Sequence, residues 1–236
     1  MTSRPFRLHG RKEDGLECTA GRNPNIHVRK SIPGKSGISF IQISAILLSL
    51  KPSMKPLELL NTEQLSITIT RLCHELIENH GDFENSAIIG LQPRGIYLAN
   101  RVVETIRQIK GLDSLKHGTL DITFHRDDIR RKAQPPVPSE TQMDFDIEDL
   151  RVILIDDVLF TGRTIRAGLD AMLAFGRPKS VELLVLIDRR FSRHLPVQPD
   201  YTGRTIDTIA SEHVDVDWLE TEGEDKVTLV SKSELE

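Results

Sequence analysis

The sequence has few cysteines and no hydrophobic run long enough to span a membrane. Its two cysteines, Cys18 and Cys73, are too few for a disulfide framework, so nothing indicates an oxidising compartment. The apolar stretch 38–50 has 13 residues, whereas a transmembrane helix needs about 20. This stretch also lies far from the N-terminus and lacks the small-residue cleavage site of a signal peptide. We therefore expect a cytoplasmic protein that has no membrane partner.

Charge is unevenly distributed along the chain. The 236 residues carry a net charge of −4, but residues 1–53 contain nine Lys/Arg and three Asp/Glu, whereas the rest contains 22 and 32. Residues 1–37 are rich in Gly, Pro, Arg and Ser without a sustained period, a composition typical of disorder. We predict that residues 1–53 form a disordered N-terminal extension, that the working protein begins near Met54, and that residues 54–236 form one domain.

Helical and strand-like patterns alternate after residue 54. Helices are predicted at 61–80 and at 96–109, and a third helix, which follows loop 161–164, is predicted to end at 175. Strands are predicted at 86–91, 119–124, 152–155 and 181–187. A hairpin is predicted from strands at 214–219 and 227–230. The polar, proline-containing stretch 126–149 is predicted to be either disordered or a functional lid. Strands that alternate with helices predict an α/β fold with a mostly parallel sheet.

The most informative stretch is 152–164, which reads VILIDDVLFTGRT. Four apolar residues predict a strand that is buried on both faces, and two acids follow it where open α/β sheets bind their ligands. In loop 161–164, small hydroxyl residues and a glycine leave backbone N–H groups free to bind a phosphate. Asp156 and Asp157 can bond the vicinal hydroxyls of a ribose, or a Mg²⁺ ion. A Walker A motif is absent from the sequence.

An apolar strand, two acids and a T-G-x-T loop resemble the signature with which type I phosphoribosyltransferases bind phosphoribosyl pyrophosphate (PRPP). Further motifs resemble the PyrR family of pyrimidine operon attenuation proteins, which also have uracil phosphoribosyltransferase activity. These motifs are GLQPRGIYLA (90–99), LDITFHRDD (120–128), VLIDR (185–189) and DYTGR (200–204). The likeness begins near residue 59 and leaves 1–53 unmatched. It implies the type I phosphoribosyltransferase fold over 54–236: a mostly parallel sheet flanked by helices, with a small C-terminal β hood.

The resemblance implies that uracil and PRPP react to give UMP and pyrophosphate. Asp156, Asp157 and Arg126 would be catalytic, with Asp157 placed for proton transfer and Arg126 at the start of a mobile loop. The PRPP site would consist of a pyrophosphate loop (Pro93, Arg94, Gly95), the two aspartates, and a phosphate segment (Val158, Leu159, Phe160, Thr161, Gly162, Arg163, Thr164). Within this segment, residues 161–164 would hold the 5′-phosphate. Asp188, Arg189 and Val214 would surround the base. Mg²⁺ would enter with PRPP, so no protein metal cage is expected.

The family also binds the leader of pyrimidine messenger RNA. Four basic residues match positions of its RNA-binding surface: Arg71, His74, Arg193 and Arg204. Two departures weaken this match: residues 190–196 read RFSRHLP where the family usually has GHRELP, and Gln198 stands where an Arg is common. The acidic balance of the chain after residue 53 also opposes RNA binding unless the basic residues cluster. A solvated surface is the alternative interpretation of these residues.

Two other functions stay open at this point. The first is an RNA attenuator whose PRPP site only senses nucleotides, and the second is a phosphoribosyltransferase for another base, such as a purine. The loop after 188–189, and not the PRPP signature, selects the base, and here that loop departs from the family. Family likeness further implies a homo-oligomer, a dimer or larger.

Overall fold

The computed structural model describes residues 56–112, 114–127, 137–209 and 211–231, so the predicted extension 1–53 and part of the predicted lid lie outside it. The strands are β1 (Leu57–Leu60), β2 (Ser86–Leu91), β3 (Lys116–Leu120), β4 (Arg151–Leu159), β5 (Ser180–Arg190), β6 (Tyr201–Asp207), β7 (Glu212–Asp217) and β8 (Lys226–Ser231). The helices are α1 (Thr62–His80), α2 (Gly95–Lys110), α3 (Arg163–Met172) and α4 (Leu219–Glu222). Among the residues described, none of these helices combines the length and the hydrophobicity that crossing a bilayer requires.

Five strands form a central parallel sheet in the order β3-β2-β4-β5-β6. Helices α1 and α2 pack on one face, where Leu65 and Leu98 share a core with Ile88 of β2. Helix α3 packs on the other face, where Ile165 shares a second core with Ile89. Neighbouring residues of β2 thus serve opposite faces, which explains why its sequence is apolar without alternation. The predicted α/β fold with a mostly parallel sheet is confirmed.

A second, antiparallel sheet in the order β1-β8-β7 forms the hood. The predicted C-terminal hairpin is present as β7 and β8, with the short helix α4 between them. The hood is not wholly C-terminal, as the resemblance implied, because β1 from the start of the domain supplies its third strand. Val214, Trp218 and Val227 are buried in the core that α1 and α2 share with the central sheet, so the hood packs on that side.

Helix α1 begins and ends where its sequence indicates. Asn61 Oδ1 accepts the N–H of Gln64 at 2.9 Å, and Asn61 N–H donates to Gln64 Oε1 at 3.2 Å, which is the predicted capping box. Gly81 ends the helix with φ 63°, in the region that favours glycine. The stripe predicted to face the core is buried: Leu65, Ile69, Leu72 and Leu76.

Several boundaries differ from the prediction. The strand predicted at 119–124 is β3, Lys116–Leu120, and Thr123–His125 forms a 3₁₀ turn. Strand β6 was missed because it is an edge strand with only one fully buried residue, so its hydrophobic pattern is weak. Helix α3 ends before a 3₁₀ turn, Leu173–Phe175, although Gly176 follows as predicted.

Candidate active site

Two adjacent carboxylates lie in the central strand of the sheet, near its carboxyl end. Strand β4 runs to Leu159, so Asp156 and Asp157 lie inside the strand, whereas the prediction ended the strand before them. Asp156 pairs with Val185 of β5, and the ladder continues to Leu159. Strand pairing therefore continues past the point where charge interrupts the apolar run. As a result, a hydrogen-bonded strand fixes the position of both acids.

Both carboxylates are buried, with exposed fractions of 6% for Asp156 and 8% for Asp157. Asp157 N–H donates to Asp156 Oδ1 at 3.0 Å, and Val158 N–H donates to Asp157 Oδ1 at 2.7 Å. Burial and the charge of Asp157 raise the pKa of Asp156 well above its ordinary value. Burial also raises the pKa of Asp157, although Arg94 opposes this. Two such acids favour a ligand that brings hydroxyl groups or a cation.

Arg94 connects the predicted pyrophosphate loop with the aspartate pair and with the hood. Its Nε lies 3.2 Å from Asp157 Oδ2, and its Nη1 lies 3.2 Å from Glu222 Oε1 in α4. Its Nη2 donates to the carbonyl of Val216 in β7. The positively charged guanidinium of Arg94 therefore lies between Asp157 and Glu222, where it can also bind an anionic ligand.

Gly95 allows the pyrophosphate loop to lie directly against β4. A Cβ at this position would lie 2.5 Å from the carbonyl oxygen of Ile155 and 3.3 Å from Asp156 Oδ1. Pro93 precedes it, joined to Gln92 by a cis peptide bond. Since α2 begins at Gly95, the close approach also places a helix N-terminus beside the aspartates.

The predicted 5′-phosphate loop leads from β4 into α3. Gly162 caps the helix with φ 86°, a left-handed conformation that suits glycine. The first hydrogen bond of the helix runs from the N–H of Arg166 to the carbonyl of Gly162, at 3.0 Å. The N–H groups that precede Arg166 in the first turn therefore have no partner within the helix. The N–H of Arg163 makes a long contact, 3.4 Å, with Thr161 Oγ1. These N–H groups, with the Thr164 hydroxyl in the first turn, suit a bound phosphate.

The start of the predicted lid lies beside these elements. Burial is the main cause of the raised pKa of Asp156. The positive charge of Arg126 opposes this rise, so Arg126 is near enough to act on that carboxylate. Asp127 forms an ion pair with Arg163 of the phosphate loop. The predicted lid therefore starts next to the phosphate loop, while residues 128–136 lie outside the described ranges.

A cavity of about 470 Å³ between β4, β5 and β7 brings Asp157 together with Arg189 and Val214, two of the residues predicted at the base. Arg189 is only 2% exposed. Its Nε donates to Thr208 Oγ1 at 3.0 Å, and the ring centroid of Phe160 lies 4.0 Å from its guanidinium carbon. Arg189 is therefore held rigidly at the cavity wall, next to the phosphate segment.

Asp188 does not line this cavity. It lines a different one, of about 710 Å³, and forms an ion pair with Arg193 there. Because β5 continues through Arg190, Asp188 and Arg189 point to opposite faces of the strand. The structure thus brings Arg189 and Val214, but not Asp188, to the cavity that Asp157 lines.

Some residues of the site carried no signal in the sequence. Glu222 holds Arg94 although the two are 128 positions apart, and the carbonyl of Glu212 accepts from Arg189 Nη2 at 2.9 Å. Thr208 was missed for the same reason. Contacts between distant segments have no local spacing that a motif can report.

Comparison with known proteins agrees with this geometry. Residues 57–221 match the phosphoribosyl transferase domain family. A bifunctional protein PyrR from Deinococcus radiodurans is 44% identical over 178 residues, which cover 75% of this chain and 96% of the relative. A bifunctional protein PyrR from Clostridioides difficile is 43% identical over 172 residues, which cover 73% and 96%. The chain belongs to the PyrR family.

Solved structures confirm the type I phosphoribosyltransferase fold. A hypoxanthine phosphoribosyl transferase of Trypanosoma cruzi aligns with a TM-score of 0.58 at 15% identity, covering 76% of this chain and 93% of that one. A hypoxanthine phosphoribosyltransferase from Staphylococcus aureus aligns with a TM-score of 0.55 at 17% identity, covering 76% and 94%. At these identities the likeness concerns the fold and not the base. With its PyrR relatives and its phosphoribosyltransferase domain, the protein is a phosphoribosyltransferase.

The basic residues that PyrR resemblance assigns to RNA lie in two environments. Arg71 and His74 are exposed on α1, and Arg71 Nη2 donates to the carbonyls of Thr202 and Gly203 in β6 at 2.9 and 2.7 Å. Arg204, the next residue of β6, is also exposed. Arg71 and Arg204 therefore lie close together at the edge strand of the sheet. The Arg193 side chain, by contrast, is only 21% exposed and is paired with Asp188.

Proposed function

We propose that the protein transfers the phosphoribosyl group of PRPP to uracil and releases UMP and pyrophosphate. The observation that carries this proposal is the cavity shared by Asp157, Arg94 and Arg189. It joins a buried carboxylate, a cation of the pyrophosphate loop and a buried donor at the predicted base position. PyrR membership supports uracil as the base that this cavity accepts.

The chain's residues can support displacement at C1 of the ribose. As pyrophosphate leaves, positive charge develops on the sugar, and a uracil nitrogen attacks the same carbon. Asp157, buried beside this carbon in our proposal, offsets that charge and takes the proton of the base, while Arg94 neutralises the leaving pyrophosphate. Loop 161–164 holds the 5′-phosphate, so that most of the catalysis is positioning and charge stabilisation.

The residues at this site fit a Mg²⁺ ion that is bound together with PRPP. Asp156 and Asp157 are hard oxygen donors whose burial disfavours their charge, and a cation would relieve that cost. In the described ranges, no group of three His, Cys, Asp or Glu side chains is arranged to hold a metal. The two aspartates would hold the ion together with oxygen atoms of PRPP and water. The bound ion would neutralise charge on the pyrophosphate as it leaves.

One assay tests the choice of base directly. UMP formation from uracil and PRPP is measured beside the reactions of adenine, guanine and hypoxanthine at equal concentration. We expect turnover with uracil to exceed that with each purine by at least about a hundredfold, because a site built to bond one base leaves buried polar groups unpaired with another. Faster turnover of a purine would assign the enzyme to that base. Binding of PRPP without turnover of any base would favour the sensing attenuator.

We further propose that the protein binds the leader of a pyrimidine messenger RNA through Arg71, His74 and Arg204. The closeness of Arg71 to β6, which carries Arg204, supports a clustered basic patch despite the acidic balance of the chain. Two-fold repetition in a homo-oligomer would double this patch, which alone is small. Light scattering of the purified protein tests the oligomer; a monomer at all concentrations would contradict it.

The double variant Arg71→Ala with His74→Ala should lose RNA binding while UMP synthesis continues. RNA affinity should also fall steeply with salt, because phosphate contacts release counterions. Arg177→Ala, which changes an exposed arginine that follows α3 on the other face of the sheet, is the control. A wild type that does not bind its own leader at low salt would show that these residues are a solvated surface.

Residues 54–236 are proposed to contain the whole catalytic domain, and residues 1–53 to be dispensable for it. The family match within 57–221 supports this division. A variant that starts at Met54 should keep the kcat and the PRPP affinity of the full chain. A large loss of either would make the preceding residues part of the enzyme.

A further inference from the structure

The segment that follows β5, residues 191–197, packs against the 5′-phosphate loop. The N–H groups of His194 and Leu195 donate to the carbonyl of Thr161 at 3.0 and 3.3 Å. A Cβ on Gly162 would lie 3.3 Å from Val197 Cγ2 and 3.4 Å from Leu195 Cβ, so the two segments are in contact where the phosphate loop turns. The shape of the phosphate loop therefore depends on a segment outside the PRPP motif.

Arg193 lies at the centre of this contact. Its Nη1 is 3.0 Å from the carbonyl oxygen of Leu159 and 3.0 Å from that of Arg189, and it also contacts the carbonyl of Phe160. Its Nε donates to the carbonyl of Val197 at 3.1 Å. One guanidinium thus serves backbone acceptors of β4, of β5 and of the segment 191–197.

The backbone groups that Arg193 bonds lie at the ends of β4 and β5, next to the phosphate loop. Leu159 and Phe160 lead directly from β4 into loop 161–164, and the Arg193 Nη2 forms an ion pair with Asp188 near the end of β5. A planar guanidinium has five donors in a rigid fork, whereas the ammonium of lysine is a compact point charge. Arg193 can therefore hold both strand ends at once, and lysine can do so only in part.

We propose that Arg193 is a positioning residue for the 5′-phosphate of PRPP, acting through the carbonyl groups of residues 159 and 160, and is not a contact for RNA. The inference rests on the proposed function, because it requires PRPP at loop 161–164. A displacement of about 1 Å at a binding loop can cost roughly a hundredfold in rate. An RNA contact would need an exposed guanidinium, whereas the Arg193 side chain is only 21% exposed, against 45% for Arg71, and its donors are directed at backbone acceptors.

The test compares Arg193→Gln and Arg193→Lys with Arg190→Gln. Arg190 is a matched control at the same strand end: its side chain is 54% exposed, and it bonds Asp207 at 2.7 and 2.9 Å. Calorimetry with MgCl₂ present gives the Kd for PRPP, for ribose 5-phosphate and for pyrophosphate. We expect Arg193→Gln to raise the first two by about tenfold and Arg193→Lys to raise them less. Pyrophosphate, bound near Arg94, should change less than about twofold, and Arg190→Gln should change nothing.

Several outcomes would overturn the inference. One is an unchanged ribose 5-phosphate affinity in a folded Arg193→Gln variant, and another is an equal loss of pyrophosphate affinity. Loss of RNA binding with unchanged PRPP affinity would return Arg193 to the RNA surface. If neither Arg193 variant folds, the residue serves the whole domain and the proposal is wrong. If the wild type binds no PRPP, the proposed function itself fails, which distinguishes that failure from a wrong role for Arg193.

Discussion

The two ends of the central sheet differ in how well the carboxylates there are paired with partners in the protein. At the amino end, Glu182 accepts from Tyr201 OH at 2.7 Å and from Arg151 Nη2 at 2.8 Å. His80, at the end of α1, lies 3.1 Å from Glu182 and 2.8 Å from the hydroxyl of Ser86. Burial alone would raise the pKa of Glu182, but its hydrogen bonds with Tyr201 and Arg151 lower it. At the amino end, side chains of the protein itself therefore compensate the charge of the Glu182 carboxylate.

At the carboxyl end, the aspartates of β4 are more deeply buried and less well compensated. Arg94 Nε lies 3.2 Å from Asp157 Oδ2, whereas burial and the charge of Asp157 raise the pKa of Asp156 although Arg126 opposes this. The same parallel sheet therefore holds two kinds of acid, a half-buried paired one and a buried pair that is poorly compensated. One kind contributes to stability, and the other costs stability, which agrees with the proposed binding of PRPP and Mg²⁺ at the carboxyl end.

The largest expected effect comes from removing the carboxylate that is proposed to act on the sugar. Asp157→Asn keeps the shape and the bond from Val158 N–H, but it cannot take a proton or offset positive charge. We expect kcat for UMP formation to fall by about a hundredfold or more. Steady-state kinetics with a melting curve checks this. A turnover near that of the wild type would remove Asp157 from the mechanism.

The phosphate loop provides the next comparison, because its contribution should appear in binding. Thr161→Ala and Thr164→Ala should each weaken PRPP by about tenfold, since a hydrogen bond to a charged oxygen is worth roughly 1.5–3 kcal/mol. The melting temperature should change little. Calorimetric titration measures the affinity, and Thr70→Ser on α1 serves as a control. If both variants bind PRPP as the wild type does, the 5′-phosphate lies elsewhere.

The amino end should respond in stability and not in turnover. Glu182→Gln leaves Arg151 without its charged partner, so we expect a loss of about 2 kcal/mol, or roughly 4–8 °C in melting temperature. The kcat should stay within about twofold of the wild type. Glu78→Gln, on the exposed face of α1, is the matched control. A fall in kcat with unchanged melting would mean that the two ends of the sheet are coupled.

Local signals explain which features the sequence could predict. Strand β2 and the capping box of α1 were predicted correctly because neighbouring residues encode them. The order of strand, acids and loop at 152–164 likewise needs only local pattern, although the strand proved longer. The predicted phosphate loop is likewise one continuous segment, between β4 and α3.

Long-range contacts explain what the sequence could not predict. His80 and Glu182 are 102 positions apart, and nothing in either neighbourhood reports their pairing. Arg193 was assigned to RNA because its position resembles a basic position of the family, yet its surroundings direct it inward. Asp188 and Arg189 are adjacent in sequence, but the alternation of a strand sends them to different cavities.

The smallest expected effect is a gain in stability at the carboxyl end. Burial and the neighbouring Asp157 raise the pKa of Asp156, so the folded protein binds a proton there more tightly than the unfolded chain does. The stability of the wild type should then decrease as pH rises through the folded pKa, because the buried acid must ionise. Asp156→Asn removes this decrease. Without PRPP or Mg²⁺ at neutral pH, it should melt a few degrees higher, since about 1 kcal/mol corresponds to roughly 2–4 °C in a domain of this size.

The difference between Asp156→Asn and the wild type should shrink as pH falls, because the wild-type carboxyl then becomes protonated and resembles the amide. Thermal melts between about pH 4 and pH 8 measure it, with Asp170→Asn on the exposed face of α3 as a control. Added PRPP and Mg²⁺ should reverse the order of the two melting temperatures, since the ligands stabilise only a site that keeps its charge. If Asp156→Asn melts lower than the wild type at neutral pH without ligand, the Asp156 carboxylate is compensated within the protein. The two ends of the sheet would then not differ in the way proposed.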